Sequence, residues 1–300
     1  MFDIIVVGAG TAGLSAAIYG VRAGKKVLVL EEKSYGGQII NTPEVENYPG
    51  IKNISGFEFA RNLYEQAKEL GAEIAYERVK QILDGEDKKQ VITGEKTYEA
   101  KSVIIATGAK NRPLGLEREK EFIGAGVSYC ATCDGMFFRG KDVAVVGGGN
   151  TALEDTTFLS NYCNKVYLIH RRDEFRGDEH SVNRLKQKDN VEFVMESRVT
   201  ELAGEGRLDA ITVEHIPTGE LRNISVAGLF VAIGQMPDNE AFRELIDVDV
   251  AGYICATEDC KTKVPGVFTA GDCRTKTVRQ LTTAAADGAV AALAACEYIG

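Results

Sequence analysis

Two cysteines, Cys130 and Cys133, form a CxxC pair, and Asp134 follows the second of them directly. Two thiols at this spacing can close a reversible disulfide, and neighbouring groups can lower the pKa of one of them. A buried carboxyl at position 134 could give a proton to a leaving thiolate, although aspartate there is also typical of a turn or helix cap. The pair could instead bind zinc, but a structural zinc site usually needs a second such pair, which this sequence lacks. We therefore expect a redox dithiol and no metal site.

A glycine-rich segment lies on each side of this pair. The first is GAGTAG at residues 8–13, and the second is GGGNTA at residues 147–152. Each follows a short apolar run typical of a buried strand and precedes a stretch with helical spacing. That context makes a glycine-rich turn a credible dinucleotide-binding unit, because the glycines let the backbone approach a pyrophosphate. A dithiol between two such units suggests an electron path from a nicotinamide through a flavin to a disulfide and an outside partner.

The strands after the two turns end in opposite charges. Glu31 and Glu32 close the first, and either carboxylate could bind the hydroxyls of an unphosphorylated ribose, which favours FAD or NAD there. Basic residues close the second, where guanidinium groups would suit the 2′-phosphate of NADP, although an exposed basic loop has the same composition. These residues are His170, Arg171, Arg172 and Arg176. The histidine could touch the nucleotide or only fill a polar gap.

The order of these patterns predicts the domain organisation. The 300 residues suffice for about two domains. Residues 102–109 and 228–234 are similar apolar runs, and the tail has no glycine-rich turn of its own. We predict an α/β protein with two Rossmann-like dinucleotide-binding domains of the three-layer ββα type, the second inserted into the first. The expected FAD-binding domain comprises residues 1–113 and 239–300, and residues 114–238 form the NADPH-binding domain that carries the CxxC pair.

Composition excludes several function classes. The formal net charge is -9 and no basic stripe stands out, so we expect no nucleic-acid partner. No apolar run approaches the ~18–20 residues that span a bilayer, and the N-terminal run is too short for a signal sequence. We expect a cytoplasmic protein without membrane contact. Seven cysteines without framework spacing do not indicate a secreted disulfide scaffold, and the five outside the pair are expected to act as small apolar residues.

Motifs along the whole chain carry a family resemblance. They are GAGTAG (8–13), GGQ (36–38), EVENYPG (44–50), ATG (106–108), CATCDG (130–135), GGGNTALE (147–154), HRRDEFR (170–176), GD (271–272) and RQ (279–280). Together they resemble the bacterial low-molecular-weight thioredoxin reductases over essentially the full length. The resemblance implies FAD, NADPH, a homodimer, and thioredoxin as acceptor. It also implies that Cys133 faces the flavin, that Cys130 attacks thioredoxin, and that Asp134 serves as the acid.

The turns and the resemblance together define the expected cofactor sites. The flavin site comprises Gly8, Gly10, Thr11, Ala12, Gly13, Glu31, Glu32, Gly37, Gln38, Asn47, Val79, Ala106, Thr107, Gly108, Gly271, Asp272, Arg279 and Gln280. The NADPH site comprises Gly147, Gly149, Asn150, Thr151, His170, Arg171, Arg172 and Arg176.

The chain departs from the family pattern after the arginines. Residues 177–180 read GDEH, and the two acids could repel a 2′-phosphate. Thr156 and Thr157 also replace the smaller and aliphatic residues expected in the helix after the second turn. An alternative is a ferredoxin-linked or nucleotide-independent flavin dithiol/disulfide oxidoreductase of the same architecture. The complete arginine set favours the NADPH-dependent enzyme.

Overall fold

The computed structural model describes residues 1–42, 44–94 and 96–300, and the chain divides into two compact units. The strands are β1 (Phe2–Val7), β2 (Val27–Glu31), β3 (Glu73–Tyr76), β4 (Gln81–Asp84), β5 (Lys89–Ile92), β6 (Thr97–Ile105), β7 (Ala109–Asn111), β8 (Val127–Ser128), β9 (Asp142–Val146), β10 (Lys165–Ile169), β11 (Val191–Val194), β12 (Ser197–Ala203), β13 (Ala210–His215), β14 (Leu221–Ser225), β15 (Gly228–Val231), β16 (Gln235–Pro237) and β17 (Val267–Thr269). The helices are α1 (Thr11–Arg22), α2 (Gly56–Glu69), α3 (Glu119–Phe122), α4 (Ala131–Asp134), α5 (Asn150–Leu159), α6 (Glu179–Leu185) and α7 (Leu281–Ile299). Short 3₁₀ helices span Gly37–Asn41, Gly135–Phe138, Glu240–Phe242 and Gly271–Cys273.

The first unit comprises Met1–Lys110 and Met236–Gly300. Its parallel strands lie in the order β3-β2-β1-β6-β17. The first half of the long strand β6 pairs instead with β5, and β5 pairs with β4, both antiparallel. Apolar side chains alternate between the two faces of the parallel part, so that each face builds its own core. Ile4 and Val6 pack with helices α1 and α7 on one face, and Ile5 and Val7 pack on the other.

The second unit comprises Asn111–Gln235. Its parallel strands lie in the order β11-β10-β9-β15-β8, which repeats the arrangement of the first unit around β9. The antiparallel sheet β12-β13-β14 packs on one face through Val199 and Ile211, and helices α5 and α6 pack on the other through Leu153 and Leu185. The predicted α/β class with two Rossmann-like folds is confirmed.

The two units differ in the origin of the fifth parallel strand. In the first unit it is β17, which comes from the chain after the second unit. In the second unit it is β8, which precedes the glycine-rich turn. The chain passes from the first unit to the second after Lys110 and returns after Gln235. Near these two positions, Arg112 N–H donates to Gly234 O at 3.0 Å within the second unit. Lys110 Nζ lies 3.3 Å from Asp238 Oδ2 within the first. Among the described residues, no helix is long and apolar enough to cross a membrane.

Candidate functional site

The first glycine-rich turn follows β1 in the first unit, and its glycines have separate roles. A Cβ on Gly8 would overlap the carbonyl of Ala106 at the end of β6, and a Cβ on Gly13 would overlap the carbonyl of Gly8. Gly10, in contrast, has no neighbouring atom within 4 Å of an added Cβ. Gly8 and Gly13 therefore let the backbone pack tightly, while Gly10 leaves space at the N-terminus of α1. Such a helix start can hold a phosphate group.

Glu31 faces this turn, and Glu32 does not. Glu31 Oε2 accepts a hydrogen bond from Ala9 N–H at 2.8 Å, and its Oε1 accepts one from Lys33 N–H at 3.0 Å. Glu32 is exposed and pairs with Arg78 at 3.3 Å. The sequence left both carboxylates open for the ribose role, and the geometry favours Glu31.

Segments far apart in sequence meet the first turn at the carboxyl ends of β1, β6 and β17. Gly37 approaches Gly10, and a Cβ on Gly271 would lie only 2.7 Å from the Cβ of Ala12. Thr107 donates a hydrogen bond to Asn239 at 2.9 Å. This edge of a parallel sheet is where open α/β folds bind their ligands. Of the other predicted flavin residues, Val79 lies in the core below the sheet, whereas Thr11 is buried at the start of α1.

A half-buried carboxylate with one unpaired oxygen lies at this edge. Asp272 Oδ1 is buried and has no hydrogen-bond partner among the described residues, and the same holds for Arg279 Nε. Burial raises the pKa of Asp272 above its ordinary value, although Lys276 and Arg279 act in the opposite direction. Because buried polar atoms are almost always hydrogen-bonded, an orphaned oxygen here indicates a ligand donor that the chain itself does not supply.

The remaining predicted flavin residues make contacts of their own. The Gln38 side chain donates to the carbonyl of Ala109, and Asn47 Nδ2 donates to Gln280 Oε1 at 3.3 Å. Gln280 also caps helix α7. The Arg279 guanidinium lies 4.2 Å from the centre of the Tyr253 ring.

The second glycine-rich turn follows β9 in the second unit. A Cβ on Gly147 would overlap the carbonyl of Ala232, and one on Gly148 would overlap the ring of His170, whereas Gly149 faces open space. The His170 ring is 5% exposed, lies 3.1 Å from Glu174 O, and stacks on Phe175. Burial lowers its pKa. The histidine thus fills the gap behind the turn, and its predicted contact with the nucleotide stays a prediction that this burial does not favour.

The three arginines surround the same turn. Arg176 N–H donates to Gly148 O at 2.8 Å, which ties the basic segment to the turn. Arg171, Arg172 and Arg176 are exposed, and no carboxylate of the described chain lies within ion-pair distance of them. Their guanidinium groups are therefore available to an anionic ligand from solution.

The acids after the arginines have a local explanation. Asp178 caps helix α6, because its Oδ2 accepts from Ser181 N–H at 2.8 Å. That bond and others lower the pKa of Asp178. Asp178 N–H in turn donates to Asn150 Oδ1 at 2.7 Å. A Cβ on Gly177 would come within 3.0 Å of Asn150 Oδ1 and Leu153 Cδ1. The departure at residues 177–178 therefore shapes the loop beside the glycine turn. Thr156 and Thr157 donate to backbone carbonyls of their own helix.

The cysteine pair lies at the start of the short helix α4 in this second unit. Cys130 and Cys133 form a disulfide with their Cα atoms 5.3 Å apart. Thr132 O–H points to Cys130 Sγ at 3.4 Å. Gly135 follows α4, and any side chain there would overlap the hydroxyl of Tyr162. Glycine at position 135 thus leaves room for the side chains at the end of α5 to pack closely against α4.

Asp134 combines burial with one hydrogen bond and one unpaired oxygen. Its Oδ2 accepts from Ser128 Oγ at 2.6 Å, and its Oδ1 is buried without a partner. Burial raises the pKa of Asp134 above its ordinary value, and the bond from Ser128 offsets part of this effect. A carboxyl in this state can hold a proton near the disulfide.

Three comparisons place the chain among known proteins. Residues 2–288 match the model of the family described as "Pyridine nucleotide-disulphide oxidoreductase". The chain belongs to this family. It is 41% identical over 300 residues to a thioredoxin reductase of Listeria innocua, and the aligned region covers 100% of this chain and 94% of that protein. It is also 41% identical to a thioredoxin reductase of Bacillus subtilis, covering 100% and 95%. The crystal structure of thioredoxin reductase from Streptococcus pyogenes matches with a TM-score of 0.95 at 39% identity, covering 99% and 98%. The resemblance identified from the motifs is confirmed.

Sequence reasoning missed two residues of these sites. Ser128 donates to Asp134, and its Oγ also accepts from Cys130 N–H at 3.1 Å. Asn239 is buried, accepts from Thr107 and donates to Cys273 O at 2.9 Å. Nothing in their local sequence distinguishes either residue from an ordinary surface serine or asparagine. Their position in the fold alone gives them these contacts.

The cysteines outside the disulfide differ in burial. Burial raises the pKa of Cys163 to about 11 and that of Cys260 to about 12, so these thiols are inert at neutral pH. Cys273 is buried as well, but Cys255 is exposed and does not fit the expected apolar role. In the described part of the chain, no group of three or more His, Cys, Asp or Glu residues could hold a metal ion.

Proposed function

We propose that this protein is an NADPH-dependent thioredoxin-disulfide reductase. Electrons pass from NADPH through FAD and the Cys130–Cys133 disulfide to oxidised thioredoxin. The observation that carries the proposal is the disulfide with the buried carboxyl of Asp134 beside it. It lies in a unit whose glycine turn has unpaired arginines around it, in a chain whose relatives are thioredoxin reductases.

The first unit fits FAD. The open space at Gly10 can take the pyrophosphate at the start of α1, and Glu31 can accept from a ribose hydroxyl. The orphaned Asp272 Oδ1 can accept from a ribityl hydroxyl. Bound FAD would supply a two-electron carrier between a nicotinamide and a disulfide. We assign FAD to this unit, Met1–Lys110 and Met236–Gly300, whose bounds lie within three residues of the predicted domain of residues 1–113 and 239–300.

The second unit fits NADPH. Gly149 leaves room for the pyrophosphate before α5, and Arg171 and Arg172 can hold a 2′-phosphate through bidentate hydrogen bonds. The Asp178 carboxylate accepts from Ser181 N–H as a helix cap. It therefore competes less with the 2′-phosphate for the arginines. We assign NADPH to this unit, Asn111–Gln235, whose bounds lie within three residues of the predicted domain of residues 114–238.

The residues around the disulfide then have separate tasks. Cleavage of the Cys130–Cys133 bond takes up two electrons and leaves two thiolates, which need protons. Asp134 can hold one of these protons, because burial favours its neutral form. By the family resemblance, Cys130 attacks the disulfide of thioredoxin and forms a mixed disulfide. Cys133 then attacks Cys130, which restores the original disulfide and releases reduced thioredoxin.

Assembly and location follow the same family expectation. We propose a homodimer, since apolar side chains on helix α7 stand exposed and could pack against a second copy. These are Val290, Leu293 and Tyr298. We propose a cytoplasmic location, because five free thiols beside a reversible disulfide suit a reducing compartment.

The proposal is tested with the purified flavoprotein under anaerobic conditions. NADPH should bleach the flavin absorbance, NADH should do so much more slowly, and added oxidised thioredoxin should restore the colour. If NADPH leaves the flavin oxidised while reduced ferredoxin bleaches it, the ferredoxin-linked alternative is correct. If the flavin is bleached but thioredoxin does not reoxidise it, the proposed acceptor is wrong.

A further inference from the structure

A buried carboxylate on helix α7 collects four hydrogen bonds. Asp287 is 5% exposed and lies about two turns into the helix. Its Oδ2 accepts from Gly271 N–H, Arg274 Nε and Lys276 Nζ, each at 2.9 Å, and its Oδ1 accepts from Arg274 Nη2 at 2.8 Å. The donors all belong to one loop, residues 271–276. The Asp287 side chain therefore holds this loop through the backbone N–H of Gly271 and through the side chains of Arg274 and Lys276.

Asp287 pairs with two buried cations. Arg274 and Lys276 have side chains that are 1% and 5% exposed, and among the described residues Asp287 is the buried carboxylate that is bonded to both of them. Glu258 lies 3.5 Å from Arg274 but is 93% exposed, so water screens it. Burial alone would raise the pKa of Asp287, but the bonds from Arg274 and Lys276 outweigh it and keep the carboxyl ionised. Removing this carboxylate would take from both cations the buried anion that they share, which is costly, although Arg274 would keep its bond to Thr275 O.

The loop that Asp287 holds is the one that presents Asp272. Gly271 has a φ of +80°, a conformation that favours glycine, and its Cα lies against Ala12 at the start of α1. Gly288, the residue after Asp287, lets α7 approach α1 so closely that a Cβ there would overlap the carbonyl of Ala12. The carboxylate is thus brought to the loop by helix packing, beside the first glycine-rich turn.

The loop that Asp287 holds carries an unpaired carboxylate oxygen, Asp272 Oδ1. Asp272 directly follows Gly271, and its Oδ1 is buried without a partner. An unsatisfied buried oxygen persists only where the surrounding structure holds it in place, because the chain would otherwise relax to satisfy it. The bond between Gly271 N–H and Asp287 is the contact that fixes the backbone one residue before it.

We propose that Asp287 is a positioning residue for the flavin. It fixes the Gly271–Asp272 turn so that Asp272 meets a hydroxyl of the bound FAD, and it sets the affinity for FAD without touching it. This inference rests on the proposed function, because it takes FAD as the ligand of the first unit.

The test measures FAD affinity in an Asp287→Asn variant. The holoenzyme is diluted in steps, and released FAD is followed by its fluorescence, while the visible circular dichroism of the bound flavin reports its geometry. We expect FAD to dissociate at least about tenfold more readily, since a charge-assisted hydrogen bond to the turn is weakened. The visible dichroism should change as well. A merely structural residue would lower the melting temperature of the apoprotein and leave both flavin readouts unchanged.

Glu258→Gln is the matched control. It removes the same charge near the same arginine, but Glu258 makes no contact with the turn, so FAD affinity should stay within about twofold of wild type. If Asp287→Asn fails to fold, the FAD affinity of the Lys276→Gln variant tests the inference instead. It replaces one charged donor to Asp287 with a shorter, neutral one and keeps the Arg274 and Gly271 bonds, and we expect a smaller but measurable loss of FAD affinity.

The outcomes separate this inference from the proposed function. Wild-type protein that binds no FAD refutes the proposed function and this inference with it. Wild-type protein that binds FAD, together with a folded Asp287→Asn variant of equal affinity and unchanged dichroism, refutes the inference alone. If only Lys276→Gln folds, wild-type affinity in that variant refutes it equally.

Discussion

Asp155, on helix α5 of the second unit, should destabilise the folded protein at neutral and alkaline pH. Burial raises the pKa of this carboxyl from 3.8 to about 7, and the charge of Glu154 adds to the shift. Its helix packs against α4, which carries the cysteine pair, so the group lies in a part of the unit that must stay well packed. The perturbation is Asp155→Asn, which replaces a carboxyl that prefers to be neutral with a neutral amide of the same shape.

The sign and size follow from proton linkage. Between pH 4 and pH 7 the folded chain holds this proton and the unfolded chain has lost it, so stability falls as pH rises through this range. A shift of about three pKa units corresponds to about 4 kcal/mol once both states are ionised, which is an upper limit. Asp155→Asn should therefore raise the free energy of unfolding little near pH 4. Its gain at pH 8 should exceed its gain at pH 5 by about 2–3 kcal/mol.

The assay is urea unfolding followed by far-ultraviolet circular dichroism at pH 5 and pH 8. Glu154→Gln is the control, because it removes the same charge from the neighbouring, exposed position and should change stability at pH 8 much less than Asp155→Asn does, burial being the larger cause of the pKa shift. An Asp155→Asn variant with the same gain at both pH values would refute the reasoning, because burial of an ionisable group must show itself as a pH dependence. A loss of stability at pH 8 would refute it as well.

Three further predictions concern the reaction. Arg171→Ala should raise the KM for NADPH about 10–100-fold and leave that for NADH nearly unchanged, since one charge-assisted phosphate contact is lost; equal effects on both would exclude the 2′-phosphate role. Cys130→Ser keeps a thiol for the flavin and should show a thiolate–flavin absorbance band that Cys133→Ser lacks. Cys133→Ser should trap thioredoxin as a mixed disulfide on Cys130, and trapping on Cys133 instead would reverse the assignment. Ser128→Ala removes the bond that lowers the pKa of Asp134, so the alkaline limb of the pH profile for thioredoxin reduction should move to higher pH. An unchanged limb would show that this carboxyl does not supply the proton.

The parts of the site that can be recognised from the sequence are those that depend on residues close together in the chain. A glycine turn between a buried strand and a helix is visible because the conformations and close contacts it needs allow little but glycine, as at Gly8 and Gly147. The repeated strand order of the two units follows from the same pattern. The CxxC pair is visible because the spacing that lets two thiols join is itself local.

Contacts across the fold bear on the choices that the sequence left open. Glu31 and Glu32 are adjacent and chemically identical, but Glu31 accepts from Ala9 N–H in the turn, whereas Glu32 is exposed and pairs with Arg78. His170 stands beside arginines in sequence, yet its ring packs behind Gly148, away from solvent. Asp178 looked like a source of repulsion and proved to be a helix cap.

By itself, the sequence determined the family, the two dinucleotide folds and the redox pair, because each rests on residues within a few positions of one another. The tertiary structure alone decided which side chains support them. Ser128 reaches Asp134 because a strand ends beside a short helix, and Asp287 reaches Gly271 because two helices pack closely enough to bring it there. Serine and aspartate occur in many places for many reasons. A hydrogen bond between separate elements depends on how those elements pack, so no local sequence pattern predicts it.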